Sequence, residues 1–200
     1  MTDDPRPGIV EPEVAAELPG LTVWELTVAA DLQRGRDPGV RDRLRELAGR
    51  FTGAVVIEAR QDEIVHAYRV AFRHVGVDPD IDRTPYEAAL VERLRLGGFP
   101  SKDVLTDALL LALLDTKVGV VAFDDAMLTG PMRVTTAGEP ARIVLADDAR
   151  PLTPLFGEAL DELAPTTDTG ALRLVAATPA GVPAISAWEA LDRVAQLVAP

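Results

Sequence analysis

The stretch VLTDALLLALLDTKVGVVAFDDAMLTGPMRVTTAGE, residues 104–139, decides the fold. Its first part, residues 102–114, carries Leu105, Leu109, Leu110, Leu111, Leu113 and Leu114 and is apolar on nearly every side. A helix apolar all round is buried all round. This one is too short to span a bilayer, and Asp107 lies inside it. It therefore reads as the central helix of a soluble domain, with Ser101 as its cap. A turn at Thr116, Lys117 and Gly119 leads to a strand-like VVAF (120–123) and then to Asp124 and Asp125. A second strand, 132–136, ends at Ala137 and Gly138, and the rest of the chain is expected to pack around these pieces.

Two hundred residues suit one domain, long enough to bury about 70% of the surface of the unfolded chain. Hydrophobic residues make up 48% and aromatics only 4%, so the core is built of Val, Leu and Ala. The absence of Cys excludes disulfides, thiolate zinc sites and a cysteine nucleophile. No signal-peptide pattern opens the chain and no apolar run has membrane-spanning length, which points to the cytoplasm and to no membrane partner. The net charge of −12 favours solubility and opposes binding to phosphate backbones except through a local basic patch.

Working outward, residues 1–7 read as a flexible tail and 8–200 as a single domain. Residues 8–32 look β-like, with Val23, Leu26 and Val28 alternating among polar residues after a turn at Pro19 and Gly20. Trp24 reads as a packed anchor. Asp37-Pro38-Gly39 starts an amphipathic helix over 40–51, whose Arg41, Arg43, Arg45 and Arg50 make it the most basic one, with Asp42 and Glu46 as partners on a solvated face. Residues 54–57 read as a buried strand. A helix over 62–76 has Asp62 as cap and Gly76 as stop, and it places His66 and His74 two turns apart, too far to share a metal in the usual adjacent-turn geometry. Thr84-Pro85-Tyr86-Glu87 is a helix start with a capping box, and the helix stops at Gly97-Gly98. Strands over 143–146 and 172–175 follow. Between them lie an irregular 151–156, a short helix at 157–163 and a mobile 165–170. The last helix covers 185–198. Strands and helices mix without strict alternation, so the fold class is α+β, with mixed sheets and packed helices.

There is no Gly-rich phosphate loop, nucleophile elbow, zinc-type histidine pair or EF-hand loop, and neither a metal nor a cofactor is expected. The pairs Asp124-Asp125 and Asp147-Asp148 read as turn formers and caps rather than cation ligands.

Six pieces then stand in a recognisable order: AYRVAFRHVGVDP (67–79), RTPYEAALVERLRLGG (83–98), VLTDALLLALL (104–114), GVVAFDDAML (119–128), GPMRVTTAGEP (130–140) and IVLADD (143–148). In this order they resemble the B3/B4 domain of the bacterial phenylalanyl-tRNA synthetase β chain and its free-standing relatives, with a motif core over 66–150. The resemblance implies an α+β domain linked to tRNA that hydrolyses a mischarged aminoacyl-tRNA, here acting in trans. It also implies substrate-binding roles for Thr106, Asp107, Gly119, Phe123, Arg133, Thr135 and Glu139; the local basic patch offers Arg41, Arg43, Arg45 and Arg50, with Arg69 and Arg73, as the RNA-backbone candidates. The chain departs from the family where the synthetase has a Thr-Asn pair and a His: these positions are Leu109, Leu110 and Val121. The later acidic residue falls near Val175 and Ala176, where there is no carboxylate. A pocket that positions water or reads a side chain needs hydrogen-bonding groups, which leucine does not supply. Arg133 and Glu139 read as an ion pair.

Three functions follow: a tRNA-associated editing domain with an altered pocket; a non-catalytic domain that kept the fold and binds a small ligand or a protein; and an interaction protein docking through its C-terminal helix, for which an exposed Trp188 would speak.

Overall fold

The computed structural model describes residues 4–34 and 37–200. Two four-stranded sheets stack face to face, and helices cover the outer face of the first. In chain order the strands are β1 (Arg6–Pro7), β2 (Ile9–Val10), β3 (Thr22–Ala29), β4 (Val121–Asp124), β5 (Arg133–Ala137), β6 (Arg142–Ala146), β7 (Pro151–Pro154) and β8 (Ala171–Thr178). The helices are α1 (Pro12–Glu17), α2 (Pro38–Arg50), α3 (Gly53–Glu58), α4 (Glu63–His74), α5 (Pro85–Leu96), α6 (Val104–Thr116) and α7 (Ala184–Val198). The first sheet has the order β1-β3-β8-β4 and the second β2-β5-β6-β7. All pairings are antiparallel except β2 with β5. The fold is α+β, as the sequence predicts.

Strand alternation divides the interior. Leu26 and Val28 of β3, Ala122 of β4, and Leu172, Leu174 and Ala176 of β8 point to α6 and α7. Their neighbours Val23, Phe123, Val175 and Ala177 point to the second sheet, where they meet Met132, Val134, Leu145 and Leu152. A third cluster joins α2, α4, α5 and α6 through Leu44, Leu47, Val65, Tyr86, Leu90, Leu111 and Leu114. The central helix α6 is apolar all round because it serves two of these clusters. Ala108 and Ala112, flanked by Leu105 and Leu109, face the sheet and α7, while Leu111 and Leu114, flanked by Leu110 and Leu113, face the other helices.

Several expectations change. Arg6 and Pro7 are not a free tail: they pair with Glu25 and Trp24; residues 1–3 lie outside the described residues. The β-like 8–32 contains α1, which Pro12 starts and Val14 anchors. Residues 54–57 are helical: α3 packs beside α5, away from any strand, with Val56 against the third cluster and Ile57 outward. A short apolar run does not by itself distinguish the two states. Residues 151–154 form an edge strand whose two prolines suit an unpaired rim. Only Asp161–Leu163 of the expected 157–163 helix forms, as a 3₁₀ turn. The 165–170 turn is pinned by Thr169, whose hydroxyl donates to Asp124 Oδ2 at 2.7 Å. The cap of α6 is Asp103, which accepts from the Thr106 N–H at 2.8 Å, rather than Ser101.

Gly8 joins the two sheets. Its N–H donates to Val23 O, and the next N–H, of Ile9, donates to Met132 O, both at 2.9 Å. A Cβ at residue 8 would lie 2.6 Å from Met132 O and 2.9 Å from Val23 Cγ1. Gly8→Ala is therefore expected to lower unfolding stability by about 1–3 kcal/mol in urea titration, since neither the strand oxygen nor the packed valine can yield freely; an unchanged midpoint would show that the N-terminal strands are not fastened there.

Candidate functional site

Asp107 lies in the first turn of α6 and is 1% exposed. Ser101 Oγ donates to its Oδ2 at 2.6 Å and the Lys102 N–H to its Oδ1 at 2.8 Å. The carboxylate thus folds the preceding loop back over the helix N-terminus, where the helix dipole favours negative charge. Thr106 is likewise occupied, its hydroxyl donating to the cap Asp103 at 2.7 Å. Leu109 and Leu110, the expected counterparts of the synthetase Thr-Asn pair, separate into two different hydrophobic clusters.

At the other end of α6, Lys117 adopts a left-handed conformation (φ 63°) that turns the chain into β4. Gly119 follows and lines a cavity of about 10 Å³ with Tyr68, Thr84, Tyr86 and Lys117, a space for about one water. A Cβ on Gly119 would meet Pro85 at an ordinary 3.6 Å, so the glycine does not clear room for a ligand. The Tyr68 hydroxyl donates to Ala177 O at 2.9 Å, and burial pushes its pKa up. Burial, together with the charge of Asp62, pushes Tyr86 up to about 12.

Phe123 is fully buried between the sheets. Arg133 pairs with Glu11 and Asp148, so the expected Arg133–Glu139 pair does not form; the β5–β6 turn leaves Glu139 exposed. Thr135 shares the strand face of Arg133 and is half-buried opposite Val144. Val121 packs against the inter-sheet core. Of the seven expected substrate-binding residues, Gly119 lines the small cavity, and the structure distributes the others among a helix start, a core, a strand face and an exposed turn.

The arginines divide in the same manner. On α2, Arg43 pairs with Glu46 at 2.8 Å, Arg45 with Asp42 at 2.7 Å, and Arg50 also with Glu46. The hydrogen bond from Arg43 and the charge of Arg50 hold the Glu46 carboxyl below its usual range. Arg41 is exposed on the same helix. Arg69 is buried: Nη1 meets Glu87 Oε1 and Nη2 meets Asp80 Oδ1, both at 2.7 Å, so its charge faces carboxylates rather than solvent. Arg73 stands 3.7 Å from Asp80. Thr84 donates to Glu87 Oε2 at 2.8 Å and accepts from the Glu87 N–H at 3.4 Å, completing the predicted helix start. The hydrogen bond from Arg69 leads the effects that hold Asp80 below its usual range. The exposed His66 and His74 are apart from this cluster; His74 borders a shallow groove of about 80 Å³ with Leu18, Leu21, Ala67 and Val70.

Two further polar arrangements stand out, the first without a signal in residue spacing and the second built on the expected turn former Asp147. Between the sheets, Arg173 of β8 reaches Glu25 of β3 at 2.8 Å and, through Nε, Asp125 at 2.7 Å. Beside it, Asp147 accepts from the N–H groups of Thr129, Ala149 and Arg150, each at 2.8 Å. Burial works to raise the Asp147 pKa, but these donors outweigh it and leave the carboxyl below its usual range. Among the described residues no group of three or more His, Asp or Glu could hold a metal ion, and no helix is long and apolar enough to cross a membrane. No protein-family model matches the chain, and no curated protein does.

Glu87→Ala leaves the buried Arg69 charge facing Asp80 alone and is expected to cost about 3–5 kcal/mol in denaturant titration; a cost below about 1 kcal/mol would mean that water enters the cluster. Asp147→Asn is expected to cost about 1–2 kcal/mol at neutral pH. A carboxyl with a depressed folded-state pKa contributes fully above its unfolded value, near 4, and loses that contribution as pH falls through the folded value. The gap between Asp147→Asn and the wild type therefore narrows below about pH 4; a constant gap on acidification would contradict the assignment.

Proposed function

We propose that the chain is a domain of the B3/B4 type, from the lineage of tRNA-editing domains, working as a non-catalytic recognition domain. The order of the six motif pieces supports the lineage. The observation that carries the non-catalytic part is the enclosure of Asp107, the aspartate of the motif, whose two oxygens are held by Ser101 and Lys102. A catalytic carboxylate or substrate reader must present a lone pair to the reacting water or the ligand. Here the lone pairs are turned to the loop, and the two leucines beyond it fill cores. The paired arginines of α2 and the buried Arg69 support the same reading, since phosphate contacts come from unneutralised cations. The alternative, a trans-acting aminoacyl-tRNA hydrolase with an altered pocket, draws its support from the motif order.

The two readings separate in one assay. The purified protein is incubated with a panel of mischarged tRNAs, beside an Arg133→Ala, Glu139→Ala double variant. Expected is hydrolysis at the rate of the protein-free control and no retention of tRNA on a filter at low salt. Accelerated deacylation that a stably folded double variant loses would overturn the proposal and establish an editing enzyme.

A further inference from the structure

The chain has two tryptophans, 164 positions apart, and folding brings them together at the surface. Their rings meet edge to face with centroids 5.2 Å apart. Trp24 stands on the helix-covered face of β3, with Pro7 opposite it in the β1–β3 ladder. Trp188 is 40% exposed and Ile185, one helical turn earlier, is 56% exposed. The far side of α7 is fully engaged, with Ala187, Ala190, Leu191, Val194 and Val198 buried. The exposed stripe continues from Trp188 to Glu189 and Asp192, and between Ala184 and Asp192 the helix carries no Lys or Arg. Exposed tryptophan beside charged side chains is the composition of an interface anchor with its polar rim.

We infer that the Trp24–Trp188 surface docks a cationic segment of another protein, one with an apolar side chain to seat against the ring pair and Lys or Arg to meet Glu189 and Asp192. Charge selects this occupant. Two copies of the chain meeting through the stripe would set the acidic pair against itself, each protomer carrying a net charge of −12. A lysine or arginine, by contrast, finds the carboxylates and an indole face within one helical turn of each other. The inference rests on the recognition-domain reading and names its partner class.

The test uses the full chain and a designed helical peptide of about 14 residues, with Leu at positions i, i+3, i+4 and i+7 and Lys elsewhere, against the same peptide with Glu for Lys. Tryptophan emission reports binding. Expected is a blue shift with the Lys peptide alone, weakened by salt. Affinity falls at least about tenfold in Trp188→Ala and in a Glu189→Lys, Asp192→Lys variant. A Glu13→Lys, Glu17→Lys variant changes net charge equally, on the short helix against the second sheet, and keeps the affinity. Loss of folding in Trp188→Ala leaves the charge-reversal pair to decide. Equal weakening by both reversals, or no shift with the Lys peptide, overturns the docking site. So does a wild-type dimer that Trp188→Ala dissolves, which would assign the surface to a second copy. Failure of the peptide without deacylation of tRNA removes this surface alone; deacylation removes the recognition-domain reading beneath it.

Discussion

The double burial of α6 is the constraint on which the rest depends. A helix with apolar residues on every side has no stable position at a surface, so two separate layers must form against it. One is the first sheet with α7, the other the group of α2, α4 and α5. The two polar side chains at its start are then forced into local service. A carboxylate buried in that wall needs hydrogen-bond donors, and the loop 101–102 supplies them to Asp107. The apolar character of α6 thus reaches into the chemistry: the carboxylate expected to serve a pocket is the one that holds the preceding loop against the helix.

The same logic explains how much was legible in advance. α6, the helix starts at Asp37, Asp62 and Thr84, and the strands of residues 121–124 and 133–137 follow from rules acting within a few residues, such as capping, periodicity and turn chemistry. The sequence reads 54–57 as a strand and 151–156 as irregular, whereas 53–58 is a helix and 151–154 a strand, because these states depend on what lies beside them. The first has no strand to pair with, and the second has the edge of β6. The site was less legible than the fold. Arg133 was paired with Glu139 on sequence proximity, yet its partners are Glu11, brought in by the N-terminal strands, and Asp148, brought in by the turn after β6. Arg69 looked like one more surface arginine of α4, and only the arrival of Glu87 from α5 makes it a buried one. Long-range ion pairs have no period, so a single sequence cannot announce them.

Net charge and local charge also part company here. An excess of twelve negative charges does not decide by itself whether an arginine-rich helix meets phosphate. What decides is whether each guanidinium already has a carboxylate. On α2, the i,i+3 and i,i+4 spacing of Asp42, Arg43, Arg45, Glu46 and Arg50 sets three of the four arginines against carboxylates of the same helix, with Arg41 exposed beside them. The surplus acid then collects elsewhere, including the stripe of α7 that carries Glu189 and Asp192.

Fold does not imply function, because function lives in sites carried by folds. This chain gives that statement a mechanical form. Thr84 and Glu87 close a helix start, Asp107 closes a loop, and Asp147 holds the chain between β4 and β5. Each belongs to a piece on which the proposed B3/B4 lineage rests, and each has a structural task sufficient to retain it without any substrate. Motif order can therefore outlast a pocket, because the residues that build the frame are tied to folding while the residues that read a ligand are not. On the proposed lineage, Leu109, Leu110 and Val121 stand at the positions free to change, and in this chain they pack against the cores on either side.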